Sequence, residues 1–460
     1  MNQLPRVHFI AIGGSIMHSL AINLHLRGYT VTGSDDEIFE PSRSNLLRHG
    51  LLPHEPGWFP EKINQELDAV ILGMHARKDN PELQKALLIG IPVFSFPEYF
   101  YQQIQKSKRI VIAGSHGKTT ITAMVMHALR MGGIAFSYLI GSRVPGFEHQ
   151  VWIEPEAELT VMEGDEYLSS PHDNRPKFLH YHPHIALISG IAWDHMNVFP
   201  RFKDYLNAFA TLIKNIEPAG TLVFCDDDEN LRQITSSLRP DLKKIPYNSL
   251  PYCLVQGKTI IQSASQLFET ELFGKHMVQN MTGAMLIAHE IGINPSNFLS
   301  FMQTFRGAAK RLQKIYDNTM FTAFLDFAHA PSKVKASVAA VKEYNPNRKV
   351  IACLELHTYS SLNKSFLHLY RETLDAAHFP VVFYSPSALE HKKMPVLSIA
   401  DVYDAFQCPQ LQVFTRAKHL EDYLFSITDK GSTLLLMSSG NWGGIETNIL
   451  INKIISKLNL

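Results

Sequence analysis

Short runs of β-branched, aliphatic and aromatic residues recur along the chain, each ending in glycine or small polar residues and giving way to helical spacing, the pattern of a βα unit. The first run is Val7 to Ile12, followed by the turn Gly13-Gly14-Ser15, a helix over Ile16 to Arg27, and a strand Thr30-Val31-Thr32 ending at Gly33-Ser34-Asp35. Asp68 to Leu72 and Ile91 to Phe94 extend this sheet, and the polar stretch Gln102 to Lys108 marks a boundary. A second series opens with a strand over Arg109 to Ala113, a glycine-containing turn and a helix to about Gly132; later strands fall at Leu159 to Met162, Ile185 to Ser189 and Thr221 to Phe224. Beyond Phe305-Arg306-Gly307 the pattern restarts at Phe321 to Leu325, Lys349 to Leu354, Val381 to Phe383 and Thr433 to Met437. The expected fold is α/β with three domains: an N-terminal Rossmann-like domain over 1–107, a central domain with a mainly parallel sheet over 108–312, and a C-terminal Rossmann-like domain over 313–460.

Length agrees with that division, because 460 residues exceed what one hydrophobic core organises. Lys plus Arg and Asp plus Glu both number 43, so no overall field draws the chain to nucleic acid or an anionic membrane. Any anionic ligand must be met by local groups. The cysteines Cys225, Cys253, Cys353 and Cys408 form no metal-type pair or disulfide-like cluster, as in a reducing compartment. Met1 to Arg6 leads into the first strand without an apolar h-region, and no apolar run approaches the roughly 18 to 20 residues that span a bilayer. The expectation is a cytoplasmic chain without a membrane or nucleic-acid partner.

The turn after the second opening strand, Gly114-Ser115-His116-Gly117-Lys118-Thr119-Thr120, is a phosphate loop shorter than the G-x-x-x-x-G-K-S/T form. Glycines let consecutive N–H groups face a phosphate, the helix starting at Lys118 presents its positive end, Lys118 adds a point charge, and Thr119 can ligate Mg²⁺. ATP is the ligand this implies, in a central ATPase domain of the P-loop type. Glu163, at the end of a strand-like run, and His195, in Trp193-Asp194-His195-Met196, are candidate partners of Thr119 on the metal. Taken singly, either could be structural, since the chain has 22 histidines and acidic loops are common.

These motifs together resemble the Mur ligase family over essentially the whole chain. The loop matches the family's G-T/S-H/N-G-K-T/S-T, Glu163-Gly164-Asp165-Glu166 its E-x-D-E, and Asp194-His195 its D-H pattern. His276-Met277-Val278-Gln279-Asn280 is similar to the adenine-contacting H-N-x-x-N, with Met277 in place of an asparagine. Gly307-Ala308-Ala309-Lys310-Arg311 and Asp326-Phe327-Ala328-His329-Ala330-Pro331 resemble the hinge and the D-x-A-H-x-P segment, which makes Arg311 and Asp326 nucleotide contacts. Gly13, Gly14 and Ser15 resemble a UDP-binding turn, although Ala11 and Ser15 replace family glycines; Ser34, Asp35 and Asn80 match positions lining the uridine site. A nicotinamide-type turn at Gly13-Gly14 lacks the full fingerprint.

The resemblance implies an enzyme that phosphorylates the lactyl carboxylate of UDP-N-acetylmuramate with ATP and Mg²⁺, then lets an amine displace phosphate from the acyl phosphate. Lys118, Glu163 and His195 are its catalytic residues, with Thr119, Glu163 and His195 on the metal. No lysine stands in Asn207-Ala208-Phe209-Ala210, where several family members carry a carbamylated one. Glu163 to Tyr167, Asp173 to Phe178 and Met437 to Gly444 are most similar to the murein peptide ligases, which implies the peptide L-alanyl-γ-D-glutamyl-diaminopimelate as acceptor. Tyr359, Ser360, Ser361 and Asn363 match an S-N-T-like tract near the acceptor; a surface loop is the alternative. Free L-alanine as acceptor, a folate-type glutamate ligase, and a catalytically silent nucleotide-binding regulator remain the alternatives. Oligomeric state is not encoded in any pattern found.

Overall fold

A computed structural model describes residues 5–263 and 266–460. Met1 to Leu4, the lead into the first strand, lie outside the described residues. Arg6–Ile10 buries Val7, Phe9 and Ile10 completely, as a parallel strand covered on both faces must. It pairs in parallel with Thr30–Ser34 and Ala69–Leu72, and Val93–Ser95 completes a four-stranded sheet. The strand stops two residues short of the expected Ile12, because Ala11 already turns with φ 67°. That left-handed conformation costs a non-glycine residue about 1–2 kcal/mol.

Lys108–Ala113 runs in the interior of a seven-stranded sheet between Ile185–Ile188 and Leu159–Glu163, parallel to both. The outermost strand Val151–Trp152 is antiparallel to Phe136–Leu139. At the C-terminal ends of the three inner strands lie the phosphate loop, residues 163–167 and residues 189–196, the end where parallel sheets gather their ligand sites. Helix Lys118–Met131 leaves the loop buried on nearly every side and packs against helix Lys275–Glu290.

The third sheet has six strands, with Phe321–Asp326, Ser432–Met437, Lys349–Glu355, Phe379–Phe383 and Gln412–Phe414 mutually parallel. Its antiparallel edge strand Gln313–Asp317 was not expected, and neither was the three-stranded antiparallel sheet Tyr252–Val255, Lys258–Ser263 and Gln266–Thr270. These strands are partly exposed and pair as antiparallel neighbours, so they lack the buried βα form by which the others were read. The polar stretch Gln102 to Lys108 is only partly a connection. Its first residues finish helix Phe96–Ile104 and Lys108 opens the next strand, leaving only residues 105–107 as connection. One apolar cluster runs from Val7 and Phe9 through Ile110 and Met124 to Phe324 and Leu435, so the three sheets share continuous packing. Among the described residues, no helix is long and apolar enough to cross a membrane.

Arg109 secures the passage from the first sheet to the second. Its guanidinium, 4% exposed, donates through Nε to the carbonyls of Tyr181 and His182 (2.9 Å each), and through its terminal nitrogens to those of Gln105 (2.7 Å) and Ser107 (3.2 Å). Glu217 completes the set at 2.7 Å. Arg109→Met leaves the carbonyl acceptors without a donor, and since Glu217, its side chain 34% exposed, can rehydrate, the expected loss is about 1–3 kcal/mol. Urea unfolding followed by tryptophan fluorescence reads this as a lower midpoint, and a loss under about 1 kcal/mol contradicts the assignment.

Candidate active site

The phosphate loop closes tightly on its neighbours. Gly114 takes φ 127° and Gly117 φ 77°, and a Cβ on Gly117 would stand 2.3 Å from Asn280 Oδ1. Only glycine allows helix Lys275–Glu290 to approach the loop this closely. His276 and Asn280, on that helix, face the same cavity as Lys118.

Lys118 Nζ donates to the Gly114 carbonyl at 2.7 Å and to both oxygens of Glu166 at 3.0 and 2.8 Å. Glu166 is fully buried, and burial alone would raise its pKa; Lys118 and His195 outweigh that and hold it down at about 2. Burial likewise works against the ammonium of Lys118, and Glu166 outweighs it, keeping the lysine charged. His195 Nε2 lies 3.2 Å from Glu166 Oε1, and its backbone, at φ 56°, directs its N–H to Asp194 Oδ1 at 2.8 Å. A non-glycine residue held in that region at the end of a strand loop is the kind of strain that collects at functional sites.

Thr119 Oγ1 donates to Glu163 Oε1 at 2.8 Å, and the Gly141 N–H donates to Glu163 Oε2 at 2.8 Å. Arg311 reaches over from the hinge, its NH2 group donating to Thr119 Oγ1 at 3.3 Å. Asp326 holds that hinge, accepting from the Leu312 N–H at 3.2 Å and from the Ser337 hydroxyl. Of the expected metal set, Thr119 and Glu163 pair with each other, while His195 pairs with Glu166, which lies outside that set. A hydroxyl and a carboxylate beside a phosphate loop form a hard-oxygen donor pair that fits Mg²⁺. Among the described residues, Glu98, Asp173 and His180 also cluster, but the Arg175 guanidinium already lies 3.3 Å from Glu98 and 2.7 Å from Asp173.

All of this faces one cavity of about 940 Å³, whose wall includes Ser115 to Thr120, Glu163, His195, His276, Asn280, Arg311 and Asp326. Of the residues expected at the uridine, only Ser15 reaches that wall, donating to Gln150 Oε1 at 2.9 Å. Gly13, Gly14, Ser34 and Asp35 form a separate group, in which the Gly13 N–H donates to Asp35 Oδ2 at 2.7 Å and burial pushes the Asp35 carboxyl up to about 6. Asn80 is buried and caps helix Pro81–Ile89, accepting from the N–H groups of Glu82 and Leu83.

Three charged residues escaped the sequence reading as site residues. Glu166 and Asp194 stood inside recognised motifs, yet spacing alone does not tell which acid of Glu163, Asp165 and Glu166 meets Lys118. Lys333 Nζ lies 3.1 Å from Asp194 Oδ2. Its signal was a lysine in the first turn of a helix, where the dipole disfavours it. Burial, and then Lys333, lower His116 to about 4 and His329 to about 3, so both imidazoles are neutral at pH 7.

A depressed carboxylate stabilises the fold fully above its ordinary pKa and loses that contribution as pH falls through the lowered one. Glu166, ordinarily 4.5 and here about 2, therefore contributes on the order of 3 kcal/mol that fades from pH 4.5 down to about 2. In urea unfolding, the stability gap between wild type and Glu166→Gln narrows as pH drops below about 4.5. A gap that stays constant down to about pH 3 contradicts the depressed carboxylate.

Comparison with known proteins bears on the same residues. A model of the Mur ligase middle domain matches residues 112–288, and one of the Mur ligase family catalytic domain matches residues 6–108. The UDP-N-acetylmuramate–L-alanine ligase of Levilactobacillus brevis is 31% identical over 376 residues, covering 78% of this chain and 79% of that protein. The UDP-N-acetylmuramate–L-alanyl-gamma-D-glutamyl-meso-2,6-diaminoheptandioate ligase of Escherichia coli is 26% identical over 462 residues, 97% of each. The crystal structure of a murein peptide ligase from Psychrobacter arcticus shares the fold, with a TM-score of 0.67, 21% identity and 98% of both chains covered. Fold, phosphate loop and sequence agree that this chain belongs to the Mur ligase family of ATP-dependent amide ligases.

Proposed function

We propose that this chain joins the lactyl carboxylate of UDP-N-acetylmuramate to the amine of L-alanyl-γ-D-glutamyl-meso-diaminopimelate, with cleavage of ATP to ADP and phosphate, in recycling of cell-wall peptide in the cytoplasm. The observation that carries this reading is the single cavity onto which Ser15 of the first domain, the phosphate loop of the second and Asp326 of the third all face. Three substrates need three walls. The domains are assigned to residues 1–107, 108–312 and 313–460, binding UDP-sugar through Gly13, Gly14, Ser15, Ser34, Asp35 and Asn80, then ATP, then the acceptor.

In this reading Gly114 to Thr120, His276, Asn280, Arg311 and Asp326 hold ATP. Thr119 and Glu163, with His195, would hold Mg²⁺, which neutralises charge on the phosphate oxygens. Lys118 turns from Glu166 toward the phosphates while Glu166 keeps it charged and aimed. A lactyl oxygen then attacks the γ-phosphorus, the bond to the bridging oxygen breaks, and its electron pair leaves with ADP. The acceptor amine attacks the resulting acyl phosphate, loses a proton, and phosphate departs. Positioning and charge dominate such a transfer, so no covalent enzyme intermediate is required.

One observation supports the peptide as acceptor: Asp165, Tyr167 and Lys177, from the tracts that resemble peptide ligases, line the cavity. The L. brevis relative, at 31% identity, favours free L-alanine as the second reading. Phosphate release from ATP and UDP-N-acetylmuramate separates the two. Release driven by the tripeptide but not by L-alanine is expected; release with alanine moves the chain to the other reading, and release with neither leaves a silent nucleotide-binding protein. Lys118→Ala is expected to lower turnover about a hundred-fold or more with UDP-sugar affinity little changed, and surviving turnover contradicts the phosphate-loop assignment.

A further inference from the structure

Lys333 stands in the first turn of helix Pro331–Tyr344, at the helix end whose free N–H groups disfavour a cation. Its side chain is 19% exposed, and its partner Asp194, 3% exposed, belongs to the second domain. Among the described residues, no other lysine or arginine ion pair joins residues 108–312 to residues 313–460. Asp194 is already engaged, since its other oxygen accepts from the His195 N–H at 2.8 Å. Lys333 also lines the cavity that holds Lys118 and Arg311. Its wall carries six cations, Lys118, Lys177, Lys275, Arg311, Lys333 and Lys335, against the five carboxylates of Glu163, Asp165, Asp227, Asp326 and Glu343, and the mutual repulsion and lost hydration of the cations are a cost that a strongly anionic occupant offsets.

We propose that Lys333 is a catalytic residue that the third domain brings to the transferring γ-phosphoryl group, with Asp194 holding its ammonium in place beforehand. The assignment rests on the ligase reading above. As the lactyl oxygen bonds to the γ-phosphorus and the bridging bond breaks, negative charge grows on the bridging oxygen that leaves with ADP. A lysine ammonium offsets that charge without changing protonation. Because Lys333 lies beyond the hinge, phosphoryl transfer then waits until the third domain is docked.

The test is positional isotope exchange in ATP carrying ¹⁸O at the β,γ-bridge, with UDP-N-acetylmuramate present and no acceptor. Reversible acyl-phosphate formation frees the β-phosphate to rotate and scrambles the label. Lys333→Met is expected to slow scrambling about a hundred-fold while calorimetric affinities for ATP and UDP-sugar stay within about three-fold. Lys333→Gln, which leaves Asp194 a hydrogen-bond donor, is expected to behave alike, and Lys333→Arg to scramble at least about ten-fold faster than either. Scrambling within about three-fold of wild type in Lys333→Gln, or a loss that only follows weakened binding, overturns the assignment. A wild type that does not scramble at all overturns the ligase reading itself.

Discussion

A largely buried ammonium at the start of helix Lys118–Met131 governs this structure. The first turn of a helix repels a cation, and the Lys118 side chain is only 13% exposed, so without a phosphate its charge is met by protein. Glu166 meets it with both oxygens, at 3.0 and 2.8 Å. Measured against an apolar pair of the same shape, such a pair adds little to stability, yet removing either partner leaves an uncompensated charge. The pair therefore keeps the phosphate lysine charged and aimed at the loop before ATP arrives. Glu166 also engages His195, whose neighbour Asp194 holds Lys333, so the second and third domains are linked by one string of charges.

The architecture explains why that string can exist. Parallel strands Lys108–Ala113, Leu159–Glu163 and Ile185–Ile188 end together, which brings loops far apart in sequence to one edge. Gly117 lets Asn280 approach the loop, and Arg311 extends from the hinge to Thr119. In the proposed reading, Lys118 and Arg311 from residues 108–312 and Lys333 from residues 313–460 are the groups that neutralise phosphate. On that reading the site is complete only when the two domains are docked, which couples nucleotide binding to closure.

The parts legible in the sequence were those whose physics is local. Buried βα units announce themselves by apolar runs ending in glycine, and the phosphate loop by its glycines and lysine between a strand and a helix. Long-range pairing was hidden. Glu163 and Glu166 stand three residues apart in one motif, yet one meets Thr119 and the other Lys118, a division set by how the chain turns after its strand. Lys333 belongs to no motif, and beyond its place in the first turn of a helix it is revealed by the approach of that helix to Asp194. Asn80 shows the opposite ambiguity, since the residue matched to a uridine position is also an ordinary helix cap. The partly exposed antiparallel strands were missed because they pair with one another and lack the continuous buried apolar run of a βα unit.

The central claim is that this cavity activates a carboxylate as an acyl phosphate. Borohydride reduction of a reaction holding ATP and UDP-N-acetylmuramate without acceptor tests it directly, because hydride converts an acyl phosphate to a primary alcohol and leaves a free carboxylate intact. The account predicts a reduced UDP-sugar, formed only with ATP and absent from Lys118→Ala. Nucleotide turnover without any reduced sugar would contradict it.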